Sequence, residues 1–513
     1  MSSKPSDEIR ITNPAVSATP VKPTQSRSYR VSFARRAAGA MVWAGPKIGR
    51  IGPIRRKLVN TWEKKMRANT EKEKQTGFKP PGIYDDRLEV GVSILKIIER
   101  ILAGNRLSPA SWRKFLNILI GDALINQGDL TTKQRFTAQF GVAPPEILLI
   151  SPTKSCNLFC KGCYSDSGKT GEKLEWDIID RLIQEAHDLW GARFIVLSGG
   201  EPLIYKDQGK TVLDLVEKHS GCYFMMYTNG TLIDDKMAKR MGELGNLSPA
   251  VSVEGLRERT ERRRGEGVFD QILAAIERLR REKVLFGVSM TVTKENAEEV
   301  LSDEVINFLF DKMGALYGWI FQYMPIGRAF TLDLLPTPEQ RLWMWKRSWE
   351  MVYKRHLFIA DFWNSGTASH GCISAGREGG YMVVDWNGAV SPCVFLPYSP
   401  LNVHDVYAQG KNLIDIWSHP FFAKLRSWQY KYGYRDDSGK MGWAGNLMMP
   451  CPIRDHYAEM YPVLKEFNPT PADENAAAAL TDPEYRQGLI NYNRAVADLM
   501  DPVWKSRYLR GQK

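Results

Sequence analysis

Three cysteines crowd one short stretch of this chain, Ser155-Cys156-Asn157-Leu158-Phe159-Cys160-Lys161-Gly162-Cys163-Tyr164. The spacing Cys-x3-Cys-x2-Cys puts three thiolates on one loop and offers no fourth. Thiolates are the usual protein ligands of iron–sulfur clusters, and a [4Fe–4S] cube has four irons. Three protein ligands leave one iron for an exchangeable partner, whereas a closed structural site would fill every position from the protein. The run therefore reads as a place for chemistry.

The same run resembles the cluster loop of the radical S-adenosylmethionine (SAM) enzymes. The resemblance implies that Cys156, Cys160 and Cys163 hold a [4Fe–4S] cluster whose open iron chelates SAM. It further implies reductive cleavage of SAM to methionine and a 5′-deoxyadenosyl radical, which takes hydrogen from an unactivated C–H bond. In such systems the cofactors carry the reaction, and the protein binds and orients them. One position departs from the family pattern. An aromatic residue often precedes the third cysteine, and here Gly162 does, with Tyr164 following instead.

Ser198-Gly199-Gly200-Glu201-Pro202 lies about 35 residues after the third cysteine and directly after an apolar run. It resembles the family's GGEP motif, which meets the methionine end of SAM. Glycines let backbone carbonyls approach a ligand closely. Thr228-Asn229-Gly230 resembles a common family turn. Ser252 and Glu254 are expected at the SAM ribose or amino group, and Arg264 at its carboxylate, an anion that a guanidinium pairs well. Pro325-Ile326-Gly327-Arg328 matches a turn of relatives without an evident role. A lone Cys222 reads as a small buried apolar residue.

A second set follows. Cys372, fifteen residues, then Gly388-Ala-Val-Ser-Pro-Cys393 resembles the opening of the auxiliary-cluster module called SPASM, or its shorter form, twitch. With Cys451 this implies one auxiliary [4Fe–4S] cluster on Cys372, Cys393 and Cys451. Asp455 and His456 are candidates for its fourth position. Three scattered buried cysteines or a zinc site is the plainer alternative.

These residues need elements to hold them. Short β-rich runs at 146–151, 193–198, 222–227, 250–253, 284–291 and 319–323 are separated mostly by helical stretches such as 175–189 and 269–281. Repeated βα units imply a parallel sheet with helices outside. Six strands fit the partial (β/α)6 TIM-like barrel of the family, with the site at the C-terminal strand ends. The fold class is thus α/β, with an N-terminal helical extension and a C-terminal SPASM/twitch-like iron–sulfur domain. The expected division is a disordered arm at 1–28, a basic amphipathic and helical extension at 29–140, the core barrel at 141–335, the auxiliary-cluster domain at 336–465 and a tail at 466–513. Within the extension, Ile94, Leu95, Ile98, Ile101 and Leu102 form one helical face, and Ser108-Pro109 starts the next helix. Trp112, Phe115, Leu116 and Leu119 read as core, or as the wall of an apolar tunnel.

The chain has 513 residues, seven cysteines and a formal charge of +12. No secretion signal or membrane-spanning run of roughly 18 apolar residues is evident. A reducing cytoplasm suits an odd number of metal-binding cysteines better than a disulfide framework does. The charge favours an acidic partner. Basic residues mixed with Phe33, Trp43 and Trp62 suit a helix at an anionic membrane surface, so peripheral attachment to the inner face of the membrane is one expectation. Self-docking of that helix is the alternative, and the basic tail around Trp504 and Tyr508 carries the same pair of readings. A flavodoxin or ferredoxin-type donor is implied, and no nucleic-acid module is recognisable. The extra apolar helices suggest a membrane lipid chain as substrate. The rivals are a peptide or protein side chain, and an iron–sulfur carrier or SAM-binding protein without turnover.

Overall fold

The computed structural model describes residues 51–77, 79–125, 130–433 and 445–509. The arm expected at 1–28, the basic aromatic run from Phe33 to Arg50, and the chain end beyond Leu509 lie outside them.

The first described elements are helical. Helix α1 (Gly52–Thr76) and α2 (Pro81–Gly104) pack together, with Arg67 bound to both Glu63 and Glu89. Ser108 caps α3 (Pro109–Lys114) as its sequence suggests, its hydroxyl accepting from the Ser111 N–H at 3.0 Å. Ile97, Ile98, Ile101, Trp112, Phe115 and Leu116 bury themselves against Tyr223, Leu285 and Leu316. These helices therefore close the end of the barrel where the strands begin.

The central sheet has ten strands. They are β1 (Ile147–Ile150), β2 (Phe194–Leu197), β3 (Tyr223–Thr228), β4 (Leu247–Ser252), β5 (Gly287–Val292), β6 (Tyr317–Gln322), β7 (Phe358–Asp361), β8 (Tyr381–Val384), β9 (Ala389–Ser391) and β10 (Leu401–Asn402). Their spatial order is β10-β9-β8-β1-β2-β3-β4-β5-β6-β7. From β8 to β7 every pairing is parallel, and the β8–β9–β10 pairings are antiparallel. All six expected strands are present. The division at 335/336 does not separate two sheets, because β7 and β8 join the barrel on its two flanks. Ile147 pairs in register with Tyr381. Phe362, just after β7, meets Tyr381 at the head of β8 with ring centroids 6.4 Å apart. Side chains rather than hydrogen bonds bring the two flanks together there.

Strands buried on both faces read as continuous apolar runs, as Ile-Leu-Leu-Ile in β1 and Phe-Ile-Val-Leu in β2 do. One face packs under helices such as α4 (Trp176–Glu185), while Leu149, Val196, Met225, Tyr381 and Val383 fill the lumen. The tail docks onto its own protein. Trp504 and Tyr508 are buried with Trp345, Trp349 and Ile83, and the Tyr508 hydroxyl donates to Asp86 at 2.6 Å.

Candidate functional site

The Cys156–Cys163 loop leaves the C-terminal end of β1, and its three cysteines line one wall of a cavity of about 220 Å³ at the mouth of the barrel. Gly199, Gly200, Glu201, Asn229, Ser252 and Arg264 line the same cavity. Sequence analysis missed several neighbours, among them Arg263, Ser289, Thr291 and Phe395. Ser289 and Thr291 had a signal, since they alternate on β5 in phase with the lumen.

Backbone geometry explains the glycines. Gly199 has φ +97°, and a Cβ there would lie 2.9 Å from the Thr153 carbonyl oxygen. A Cβ on Gly200 would run into the carbonyls of Ser155 and Lys154. The pair lets the end of β2 nest against the cysteine loop, tied by Gly200 N–H to Thr153 and Glu201 N–H to Ser155, both at 2.9 Å. The close approach is made by the loop's own carbonyls. Gly162, at φ +64°, faces Tyr323, whose ring would stand 2.9 Å from a Cβ there. Tyr323 fills the space that an aromatic at 162 would need.

The Glu201 carboxylate is engaged within the protein. It accepts from Thr228 Oγ1 at 2.8 Å, Asn229 N–H at 2.7 Å and Leu203 N–H at 3.1 Å. Burial raises its carboxyl above the usual range, and these bonds only partly oppose that. Glu201 thereby sets the Thr-Asn-Gly turn. Asn229 then reaches the loop, donating to Asn157 at 2.9 Å with its Nδ2 3.8 Å from Cys156 Sγ.

Four of the expected residues stand apart from the cavity walls. Pro202 opens a short 3-10 turn and is buried outside the cavity wall. Glu254 also stands behind the wall, binding Arg263 at 2.9 Å and Arg264 at 2.5 Å. Burial alone would raise the Glu254 carboxyl, but the two guanidinium charges outweigh it and hold it below its ordinary value. Its place is to aim Arg264, whose Nη1 lies 4.0 Å from Cys160 Sγ. The third is Asp455. It forms a fully buried ion pair with Arg341 and accepts from the Cys451 N–H at 3.1 Å. Both oxygens are engaged, because Arg341 carries the partner charge. His456 is likewise turned to the Met449 carbonyl at 2.9 Å.

Cys372, Cys393 and Cys451 line a second cavity of about 250 Å³, outside the seam between β7 and β8. Trp319, Phe362, Ile373, Tyr381 and Phe395 wall both cavities. Burial pushes the Cys156 thiol up to about 11 and the Cys393 thiol up to about 12. Such thiols ionise only beside a strong positive charge, which bound iron supplies. Among the described residues no three His, Cys, Asp or Glu side chains are grouped to hold a single metal ion. Each cysteine trio instead borders a cavity, which suits a many-iron cluster better than one zinc. Cys222 is buried in the core away from both. A third cavity, of about 410 Å³, lies at the base of the barrel under Ile94, Ile97, Phe115 and Leu119. It shares Ile147, Phe194, Met225 and Trp319 with the upper one.

With fold and site in place, residues 150–303 match the radical SAM superfamily and residues 372–438 match the SPASM iron–sulfur cluster-binding domain. The chain therefore carries a radical SAM domain followed by a C-terminal SPASM domain. It is 32% identical to Fe-coproporphyrin III synthase of Methanosarcina barkeri over 165 residues, which span 32% of this chain but only 41% of that protein. With the AdoMet-dependent heme synthase of the same organism it shares 27% identity over 310 residues, 55% of this chain and 85% of the relative. Mycofactocin maturase MftC of Mycolicibacterium smegmatis is 28% identical over 320 residues, 57% of this chain and 76% of that one. A crystal structure of Streptococcus suis SuiB bound to its precursor peptide SuiA superposes with a TM-score of 0.48 at 16% identity, covering 62% of this chain and 74% of SuiB. Among the described residues no helix is long and apolar enough to cross a membrane.

Proposed function

We propose that this enzyme modifies an unactivated C–H bond in a side chain of a peptide or protein. A [4Fe–4S] cluster with SAM supplies the 5′-deoxyadenosyl radical for that step. Cys156, Cys160 and Cys163 would ligate the cluster, and their loop offers no fourth thiolate. Arg264, steadied by Glu254, pairs with the SAM carboxylate, and Gly199, Gly200, Asn229 and Ser252 complete the SAM wall. The observation that carries this reading is the meeting of three loop cysteines, the glycine pair and Arg264 on one cavity. The apolar lumen below, lined by Leu149, Val196, Met225 and Phe321, excludes water from the reacting carbon. Cys372, Cys393 and Cys451 would hold one auxiliary cluster at the second cavity. A flavodoxin or ferredoxin-type donor in a reducing cytoplasm provides the electron.

The peptide reading is favoured by the similarity to a maturase over three quarters of that relative's length. It is preferred to the lipid chain suggested by sequence alone. A lipid or other long apolar substrate remains the second reading, and the base cavity of about 410 Å³ favours it. The test is anaerobic reconstitution with SAM and dithionite against three substrates: a short peptide encoded beside the gene, an iron porphyrin precursor and a membrane lipid extract. Stoichiometric 5′-deoxyadenosine with a mass change on the peptide supports the proposal. A mass change confined to lipid or porphyrin overturns it, and no 5′-deoxyadenosine at all would overturn the radical reaction itself.

A further inference from the structure

Tyr381 stands where the barrel flanks meet. It heads β8, pairs in register with Ile147 and is 4% exposed. Its ring walls both the upper cavity and the cavity of the second cysteine trio. Its hydroxyl lies 3.0 Å from Cys393 Sγ, and that sulfur also takes the Phe395 N–H at 3.4 Å. The hairpin turn from β8 to β9 produces this contact by bringing Cys393 back alongside Tyr381, twelve residues earlier.

We propose that Tyr381 is a positioning and tuning residue of the auxiliary centre, and this rests on the single-cluster reading above. As a ligand, Cys393 is a thiolate, so the phenol is the donor. A hydrogen bond to a ligating sulfur withdraws charge from it and stabilises the more negative, reduced cluster. The phenol thus raises the reduction potential of the auxiliary cluster, while its ring walls both cavities. An electron acceptor or donor placed beside the substrate cavity has its driving force shifted by this O–H.

The test uses the full chain, reconstituted anaerobically and titrated reductively with electron paramagnetic resonance detection. Tyr381→Phe keeps the ring and removes the donor. Its auxiliary midpoint should fall, with the SAM-site midpoint and the iron content unchanged. Site-specific 3-fluorotyrosine, a stronger donor, should move the midpoint the other way, and it decides the matter should Tyr381→Phe lose its cluster. An auxiliary midpoint unmoved by the fluorinated residue overturns the proposal. A Cys372→Ala/Cys393→Ala/Cys451→Ala variant that binds as much iron as the parent would overturn the cluster reading itself, and the proposal with it.

Discussion

Arg328 lies over Phe159, its guanidinium carbon 3.5 Å from the ring centroid, and this contact clamps the cysteine loop. The same side chain donates to the Cys160 carbonyl at 2.6 Å and to the Ser167 carbonyl, and pairs with Asp166 at 3.1 Å. Gly327 allows the approach, since a Cβ there would strike the Cys163 and Tyr164 carbonyls. The Pro-Ile-Gly-Arg turn therefore serves the loop from the end of the sixth strand.

Removing that clamp should loosen the first cluster. Arg328→Ala leaves carbonyls of a partly buried loop without partners, at a cost of about 1–3 kcal/mol for such groups. We expect a lower melting temperature and a loss of iron confined to the Cys156 site, read by iron analysis in a background lacking Cys372, Cys393 and Cys451. Arg328→Lys should recover only part of the loss, because an ammonium reproduces neither the fork nor the stacking. Full recovery by lysine would show that charge alone suffices.

Gly200 makes a sharper demand. Gly200→Ala forces a methyl group against two backbone carbonyls that cannot swing aside, a form of overpacking that costs about 1–3 kcal/mol. The strain falls on the cysteine loop, so SAM-dependent 5′-deoxyadenosine formation should drop well beyond the loss of stability. Calorimetry and single-turnover cleavage, measured together, separate the two. An alanine variant with parental cleavage would mean that the loop gives way easily.

How much of this could be read beforehand follows from distance along the chain. The cluster loop, the glycine pair and the six strands are local patterns, and they stand where expected. Strand boundaries slip where local cues conflict. Pro249 sits within β4, so the strand begins earlier than its apolar end suggests, and Val284–Phe286 is an apolar lead-in rather than part of β5. Strand β7 is four residues long and begins two residues after His356, which ends the preceding helix in a left-handed conformation. Tyr381–Val384 is legible as a strand, but its partner β1 lies far back in the chain. Asp455 shows the same dependence on distant partners. Spacing from Cys451 makes it a ligand candidate, whereas Arg341, 114 residues earlier, claims both its oxygens.

That pair yields its own expectation. Arg341 and Asp455 are both fully buried, and breaking such a pair from one side costs about 3–5 kcal/mol, whereas replacing both partners with apolar groups of similar shape is often tolerated. Asp455→Ala should therefore destabilise strongly and release the auxiliary iron, since Asp455 also anchors the Cys451 N–H. Arg341→Met/Asp455→Leu should recover much of the stability and little of the iron. Equal recovery of both would show that Asp455 has no part in shaping the Cys451 turn.

His370 predicts a pH effect of definite sign. Its ring accepts a hydrogen bond from Lys79 Nζ at 2.8 Å, tying the segment before Cys372 to the linker ahead of α2. Burial, with Arg87, Lys79 and Arg377 adding like charge, depresses the imidazole from its ordinary 6.5 to about 2. The unfolded chain then binds the proton that the folded chain refuses, so stability rises with pH across that window. The contribution is complete above pH 6.5 and is lost progressively as the pH falls below it. Denaturant unfolding from pH 7.5 to 5 should show the decline in the parent and a shallower slope in His370→Gln, which keeps an acceptor for Lys79 but does not titrate. Parallel slopes in the two proteins would mean that His370 is protonated in the folded chain, and that its bond to Lys79 has opened.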